Sequence, residues 1–178
     1  MAFFIPMKIT QQQNKDSLIY AVAAVEAGAY ARLGETKEQQ IERWHIGKLG
    51  EIVFYNLLTD YGIKVEYTDM FKFIGVPDEY DFIMPKGRYK IDVKTYKPRH
   101  KYLLLPKDQT KNISQIDIYV GVVVDVENLK GFVDGYVWKD TFIQESSEKV
   151  SKSMPEPCYN REIKDLINID QVLKFWYF

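Results

Sequence analysis

A chain of 178 residues with 46% hydrophobic and 15% aromatic content holds enough apolar surface to offset chain entropy, which excludes disorder and fits one domain. A formal charge of −1 excludes a global field as the means of holding a polyanion, so such a partner must be met by a local basic patch. The single cysteine, Cys158, excludes an internal disulfide and a four-cysteine zinc or iron–sulfur centre.

The opening stretch, MAFFIPMKITQQQNKD, lacks a basic leader followed by a long apolar core. No window approaches the ~20 apolar residues that span a bilayer, so a cytoplasmic protein without membrane contact is expected. Residues 15–33 are alanine-rich with apolar positions at three- and four-residue steps, which predicts a helix ending near Gly34. A longer helix follows at about 37–61, with Thr36 as its N-cap, Glu38 and Glu42 early where the dipole favours them, and Gly62 as its stop. Its interior carries Gly47 and Gly50, each costing about 0.5–1 kcal/mol relative to alanine. That cost implies close approach of the helix to a sheet, with Glu51 on the same face as Gly47.

Strands are expected at 63–67, at about 80–84 and at 88–95, then a loop with a short helix through LLLPKDQTKNISQ. IDIYVGVVVDV (116–126) has the continuous β-branched run of a strand buried on both faces, and GFVDGYVW (131–138) reads as its antiparallel neighbour. A polar loop at 144–157 with Pro155 and Pro157, a helix near 160–167 and an aromatic tail, VLKFWYF, complete the chain. A strand, a crossover and a buried strand imply a parallel pair. The predicted fold is therefore α/β: one domain with a mixed central sheet, an αβββαβ core at 36–140, helices on both faces, a helical extension at 1–35 and a C-terminal extension at 141–178.

The hairpin YDFIMPKGRYKIDVKT carries the chemistry. A two-residue loop at Lys86-Gly87 sets Asp81 directly opposite Asp92, with Cβ atoms roughly 4.5–5.5 Å apart, where like charges repel. The strand period of two carries Lys94 to the face of Asp92. A three-residue loop would set Ile91 opposite Asp81 instead; the shorter loop is preferred.

Together, Glu51 in the helix segment GKLGEIVF, Asp81 in PDEYDF, and Asp92-Val93-Lys94 in IDVKT resemble the PD-(D/E)XK nuclease superfamily, the restriction-endonuclease-like fold. The resemblance covers roughly residues 38–140, and the family's order of helix, three strands, helix and further strands is the order read above. Pro77-Asp78 matches the PD letters literally, but Asp81 has the better register; Asp78 and Glu79 are the alternatives. The resemblance implies a metal-dependent deoxyribonuclease, most simply an endonuclease, with the Val93 backbone carbonyl as a further metal ligand. It also directs attention to Gln109, at a distance from the lysine where many members carry a glutamine, and to Asp117 as the polar start of the fourth strand.

Hard carboxylate oxygens suit Mg²⁺, so Asp81 and Asp92 are its expected ligands, with Glu51 holding a second ion or a metal-bound water. Mn²⁺ should substitute, and Ca²⁺ should support binding without cleavage. Lys94 would orient the attacking water and offset phosphate charge. The expected DNA-binding surface begins in TYKPRHKY with Lys97, Arg99, His100 and Lys101, extended by Lys107 and Lys111 and flanked by Arg43 and Lys48. His45 and His100 have no ligand-like spacing with Cys158, so no zinc site is expected. Cleavage of both strands would favour a homodimer. The competing expectations are a non-cleaving nucleic-acid-binding or assembly module that keeps the fold, and a plain α/β domain in which Asp81, Asp92 and Lys94 form a structural ion-pair cluster.

Overall fold

Strand β1 (Met7–Lys8) and helix α1 (Gln11–Glu26) come first in the computed structural model, which describes residues 6–29, 31–32, 34–67, 80–84, 89–107, 115–151 and 154–177. Helix α1 lies earlier than its apolar periodicity suggests because Thr10 and Gln13 form a reciprocal capping box. Thr10 Oγ1 accepts from the Gln13 N–H at 3.1 Å, and Gln13 Oε1 accepts from the Thr10 N–H at 2.9 Å. The helix ends with Ala27 as its C-cap, short of the expected residue 33. Helix α2 (Lys37–Asp60) matches its expected span, with the Thr36 side chain accepting from the Gln39 N–H at 3.3 Å and Glu38 in the first turn. Gly62, at φ 68°, takes the left-handed turn that stops it.

Strands β2 (Glu66–Tyr67), β3 (Phe82–Ile83), β4 (Lys90–Tyr96), β6 (Ile118–Asp125) and β7 (Lys130–Trp138) join β1 in a mixed six-stranded sheet, ordered β1-β7-β6-β4-β3-β2. The pairing of β4 with β6 is parallel and sets Asp92 beside Tyr119 and Lys94 beside Gly121; β6 and β7 are antiparallel. The expected mixed α/β architecture is therefore present. Between β4 and β6 runs β5 (Tyr102–Pro106), which was read as loop; the short helix expected after it falls on residues largely outside those described.

One face of the sheet packs on α2. Leu49, Ile52, Val53, Phe54 and Leu58 are buried against Phe82, Ile91, Val120 and Val122, each such side chain contributing about 1.5–3 kcal/mol. The C-terminal tail covers the same face as helix α4 (Ile169–Tyr177), through Val172, Leu173 and Trp176. On the other face Tyr96, Tyr119 and Val137 pack against Leu103 and Leu105 of β5 and against Phe142 of helix α3 (Lys139–Glu145).

The C-terminal third departs from expectation. Within the stretch expected to be a polar loop and the start of a helix, β8 (Ser147–Ser151) and β9 (Met154–Glu162) pair and complete a three-stranded antiparallel sheet ordered β5-β9-β8. Of the helix expected at 160–167, a 3₁₀ turn at Ile163–Asp165 is what forms. The prolines mislead because they belong to an irregularity. The register shifts between Lys149 and Ser151, and the β9 stretch between Met154 and Cys158 that holds Pro155 and Pro157 breaks regular pairing. Among the described residues, no helix is long and apolar enough to cross a membrane.

Candidate functional site

Helix α2 reaches the sheet through Gly50. A Cβ there would lie 1.8 Å from Thr95 Oγ1, 2.8 Å from its Cβ and 2.9 Å from its Cγ2, so glycine is what lets the helix backbone rest on β4. Thr95 Oγ1 then donates to the Gly47 carbonyl at 3.4 Å. Gly47 does not share that role. Among the described residues nothing from a neighbouring element lies within 4 Å of where its Cβ would be, and it lines an open cleft of about 450 Å³ between α2, β4 and β5. Glu51, one turn further on, lines the same cleft together with Lys48, Lys94 and Tyr96.

The site sits at the start of β3, where among the described residues no strand pairs with that edge of β4 beyond Ile91. Phe82 pairs with Ile91 and Ile83 with Lys90, which is the register of the shorter loop; the regular pairing stops at Phe82, and Asp81 reaches β4 by bonds to Ile91 and Val93. The loop residues 85–88 lie outside the described residues. Asp81 stands just beyond the strand. Its N–H donates to the Ile91 carbonyl at 2.9 Å, and its Oδ2 accepts from the Val93 N–H at 2.6 Å, filling the place a longer β3 would take. The Val93 carbonyl points to that same open edge, since the N–H and C=O of one strand residue face the same way.

Glu51 and Asp92 approach this edge from opposite faces of β4, while Asp92 and Lys94 share a face as the strand period predicts. Ile91 and Val93 face α2, whereas Asp92 and Lys94 face the opposite layer, where Lys94 Nζ lies 5.8 Å from the centre of the Tyr119 ring. Glu51 arrives from the α2 side. The cause is the alternation of β4 itself: the residue under Gly50 is Thr95, so Asp92 and Lys94 must point away from the helix.

Electrostatics tie the groups together across the edge. Desolvation, then the charges of Glu51 and Asp92, push the Asp81 carboxyl well above the usual carboxylate range, against the Val93 N–H and the Lys48 ammonium, which act downward. Asp92 Oδ2 lies 2.7 Å from Lys94 Nζ, with side chains 15% and 20% exposed. Glu51 Oε2 lies 2.5 Å from Lys48 Nζ. Burial opposes the charge on Lys48, but Glu51 and then Tyr20, whose ring centre is 4.3 Å from Nζ, outweigh it and the net shift is upward.

The remaining expected residues divide. Lys97, Arg99, His100 and Lys101 are exposed on the segment after β4, with Lys97 and His100 lining the cleft; Lys97 pairs with Glu42 at 2.6 Å. Arg43 pairs with Glu35 at 2.8 Å. Lys48 is not a surface cation for a backbone phosphate: its side chain is 6% exposed because Tyr20 and Glu51 enclose it. Lys107 lies over Tyr159. Asp117 precedes β6 and brackets β4, its Oδ2 accepting from the Lys90 N–H at 2.8 Å. Gln109, Lys111, Asp78 and Glu79 lie outside the described residues.

Two neighbours of the site carry no motif. Tyr119 lies beneath Asp92 and Lys94, its hydroxyl buried with no hydrogen-bond partner among the described residues and pushed above its ordinary pKa by burial and then by Asp92. Tyr96 donates to Asp134, a carboxylate on β7 that burial pushes upward. The charge inside GFVDGYVW was a sequence signal for the second pair; only the β4–β6 register exposes the first.

The donor set suits a hard divalent cation. Asp92 Oδ2 is enclosed and its contact with Lys94 is an ion pair without hydrogen-bond alignment, while Asp81 carries an excess of negative neighbours. As they stand, the acids hold in-chain partners, and among the described residues no three His, Cys, Asp or Glu side chains are grouped closely enough to hold a metal ion. Comparison of the chain with protein-family models, with curated proteins and with solved structures finds no match.

Proposed function

We propose that the chain is a metal-dependent deoxyribonuclease that hydrolyses DNA phosphodiester bonds, most simply as an endonuclease. The observation that carries this reading is Asp81: a carboxyl raised by desolvation and by two further acids, bonded to a strand edge left unpaired among the described residues, in electrostatic contact with Glu51 and Lys48, which line the cleft. Structural ion pairs do not call for three mutually repelling acids at one edge; a divalent cation does. Asp81, Asp92, the Val93 carbonyl and Glu51 would hold Mg²⁺ or Mn²⁺, which supplies charge neutralisation at the phosphate and an acidic water.

The chain's own residues do the rest. Lys94, fixed by Asp92 and by the Tyr119 ring, is within reach of the cleft, where its ammonium orients the attacking water and offsets charge on the phosphate. Lys48 holds Glu51 against the helix so that its carboxylate faces the edge. Lys97 at the cleft, with Arg99 and Lys101 beside it, supplies the positive approach for the phosphodiester chain, and His100 adds a hydrogen-bonding ring there.

One observation favours a second reading, a non-cleaving nucleic-acid-binding module. Each acid already has an in-chain partner: Lys48 for Glu51, Lys94 for Asp92 and the Val93 amide for Asp81. Supercoiled, linear and branched DNA incubated with Mg²⁺ or Mn²⁺, beside Lys94→Ala, separates the two. The nuclease reading expects cleavage reduced about 10²–10⁴-fold in the variant. Binding without cleavage by the wild type favours the second reading, and neither activity leaves a structural cluster.

A further inference from the structure

We infer that the cleft floored by Gly47 is a subsite for one unstacked nucleotide, so that the substrate is presented there as single-stranded or frayed DNA. The inference rests on the reading that the adjacent carboxylates act on DNA, and it adds which form of DNA they receive. It starts from a glycine without a packing reason. Gly47 lies in the interior of α2, where glycine weakens a helix, yet among the described residues no neighbouring element places an atom within 4 Å of its missing Cβ. Three residues on, Gly50 shows what a packing glycine looks like, with Thr95 filling the gap. The space beside Gly47 belongs to the cleft, and its use is to admit something from outside.

The lining states the chemistry of that occupant. At about 450 Å³ the cleft falls within the roughly 300–1,000 Å³ that ligand sites span. Four aromatic residues line it, Tyr20, Trp44, Tyr96 and Tyr102; Tyr102 is 38% exposed, and the Arg43 guanidinium lies 5.8 Å from the Trp44 ring centre. Lys97, paired with Glu42, supplies a cation beside His100, and Lys94 and Glu51 of the candidate site border it. An aromatic surface with cations beside it, continuous with a phosphate-directed site, fits a base and its phosphate. A paired, stacked duplex has no free base face to offer such a surface, whereas an unpaired nucleotide does.

The test uses the full chain with Ca²⁺ or EDTA, a short labelled single-stranded oligodeoxynucleotide and the blunt duplex of the same sequence, read by fluorescence anisotropy. Wild type should bind the single strand more tightly than the duplex. Gly47→Leu should weaken single-strand binding about tenfold, on the order of one lost base stack, without lowering the melting temperature. Tyr102→Ala, at an exposed position, should weaken it similarly and serves if Gly47→Leu fails to fold. Undiminished single-strand binding by a folded Gly47→Leu and by Tyr102→Ala, or a wild-type preference for the duplex, overturns the inference. Cleavage with Mg²⁺ or Mn²⁺ separates it from the nuclease reading. Absent cleavage with the binding pattern intact leaves the subsite standing and removes the nuclease, while equal cleavage of blunt duplex by wild type and Gly47→Leu does the reverse.

Discussion

Gly50→Ala inserts one methyl group where α2 touches β4, and the contact distances fix its sign. The new Cβ would sit 1.8 Å from Thr95 Oγ1, and rotating the threonine does not relieve it because Thr95 Cβ and Cγ2 are at 2.8 and 2.9 Å. The helix has to lift from the strand, stretching the 3.4 Å bond from Thr95 Oγ1 to the Gly47 carbonyl. Overpacking of this kind costs about 1–3 kcal/mol, here toward the upper end since backbone must move, and the gain in helix propensity returns up to about 1 kcal/mol. The expected net loss is about 2 kcal/mol, a fall in melting temperature of about 4–8 °C for a chain of this size. Gly47→Ala, the same change one turn earlier, should stabilise by about 0.5–1 kcal/mol because its methyl meets open space. Urea unfolding followed by circular dichroism, at unchanged slope, reads both. A Gly50→Ala protein as stable as wild type, or a Gly47→Ala protein that loses as much, would refute the assignment of close approach to Gly50.

Lys48→Met should destabilise by about 3–5 kcal/mol, because it removes the ammonium that faces a largely enclosed Glu51 carboxylate; Glu51→Gln in the same chain should recover part of the loss in the same assay. His45 gives a pH dependence. Burial holds its imidazole below the ordinary value, against Asn14, 3.0 Å from Nε2, and Glu42. Its contribution to stability is therefore complete above the unfolded value of about 6.5 and is lost as pH falls through the lowered folded value. Melting temperatures between pH 7 and pH 5 should fall more steeply in wild type than in His45→Gln; parallel curves would dissociate His45 from that loss.

The parts of the fold that the sequence makes legible are those with local rules. Thr36, Glu38 and Gly62 delimit α2 through capping and backbone geometry, and the β-branched run at 116–126 marks β6, the buried centre of the sheet. The register that pairs Phe82 with Ile91 and Ile83 with Lys90 follows from a short turn. What escapes is set by pairing at a distance. Tyr102–Pro106 and Met154–Glu162 are polar or proline-bearing, and they are strands because each finds the other. Lys48 reads as a surface cation in a charged helix segment, and only the arrival of Tyr20 from α1 encloses it. The face on which Glu51 meets the other acids likewise depends on which β4 residue lies under Gly50, a tertiary fact.

The pairing of β5 with β9 sets an order of events during synthesis. Residues for the acid cluster and most of the large sheet have left the ribosome by Trp138, but the strand that holds Tyr102–Pro106 in place arrives only with Met154–Glu162. Until then the nascent chain would carry its carboxylates beside a wall with an unmated edge. The region beyond residue 140 is thus no detachable appendage. Trimming it would leave the acidic cluster's residues intact while dissolving one side of the groove next to them.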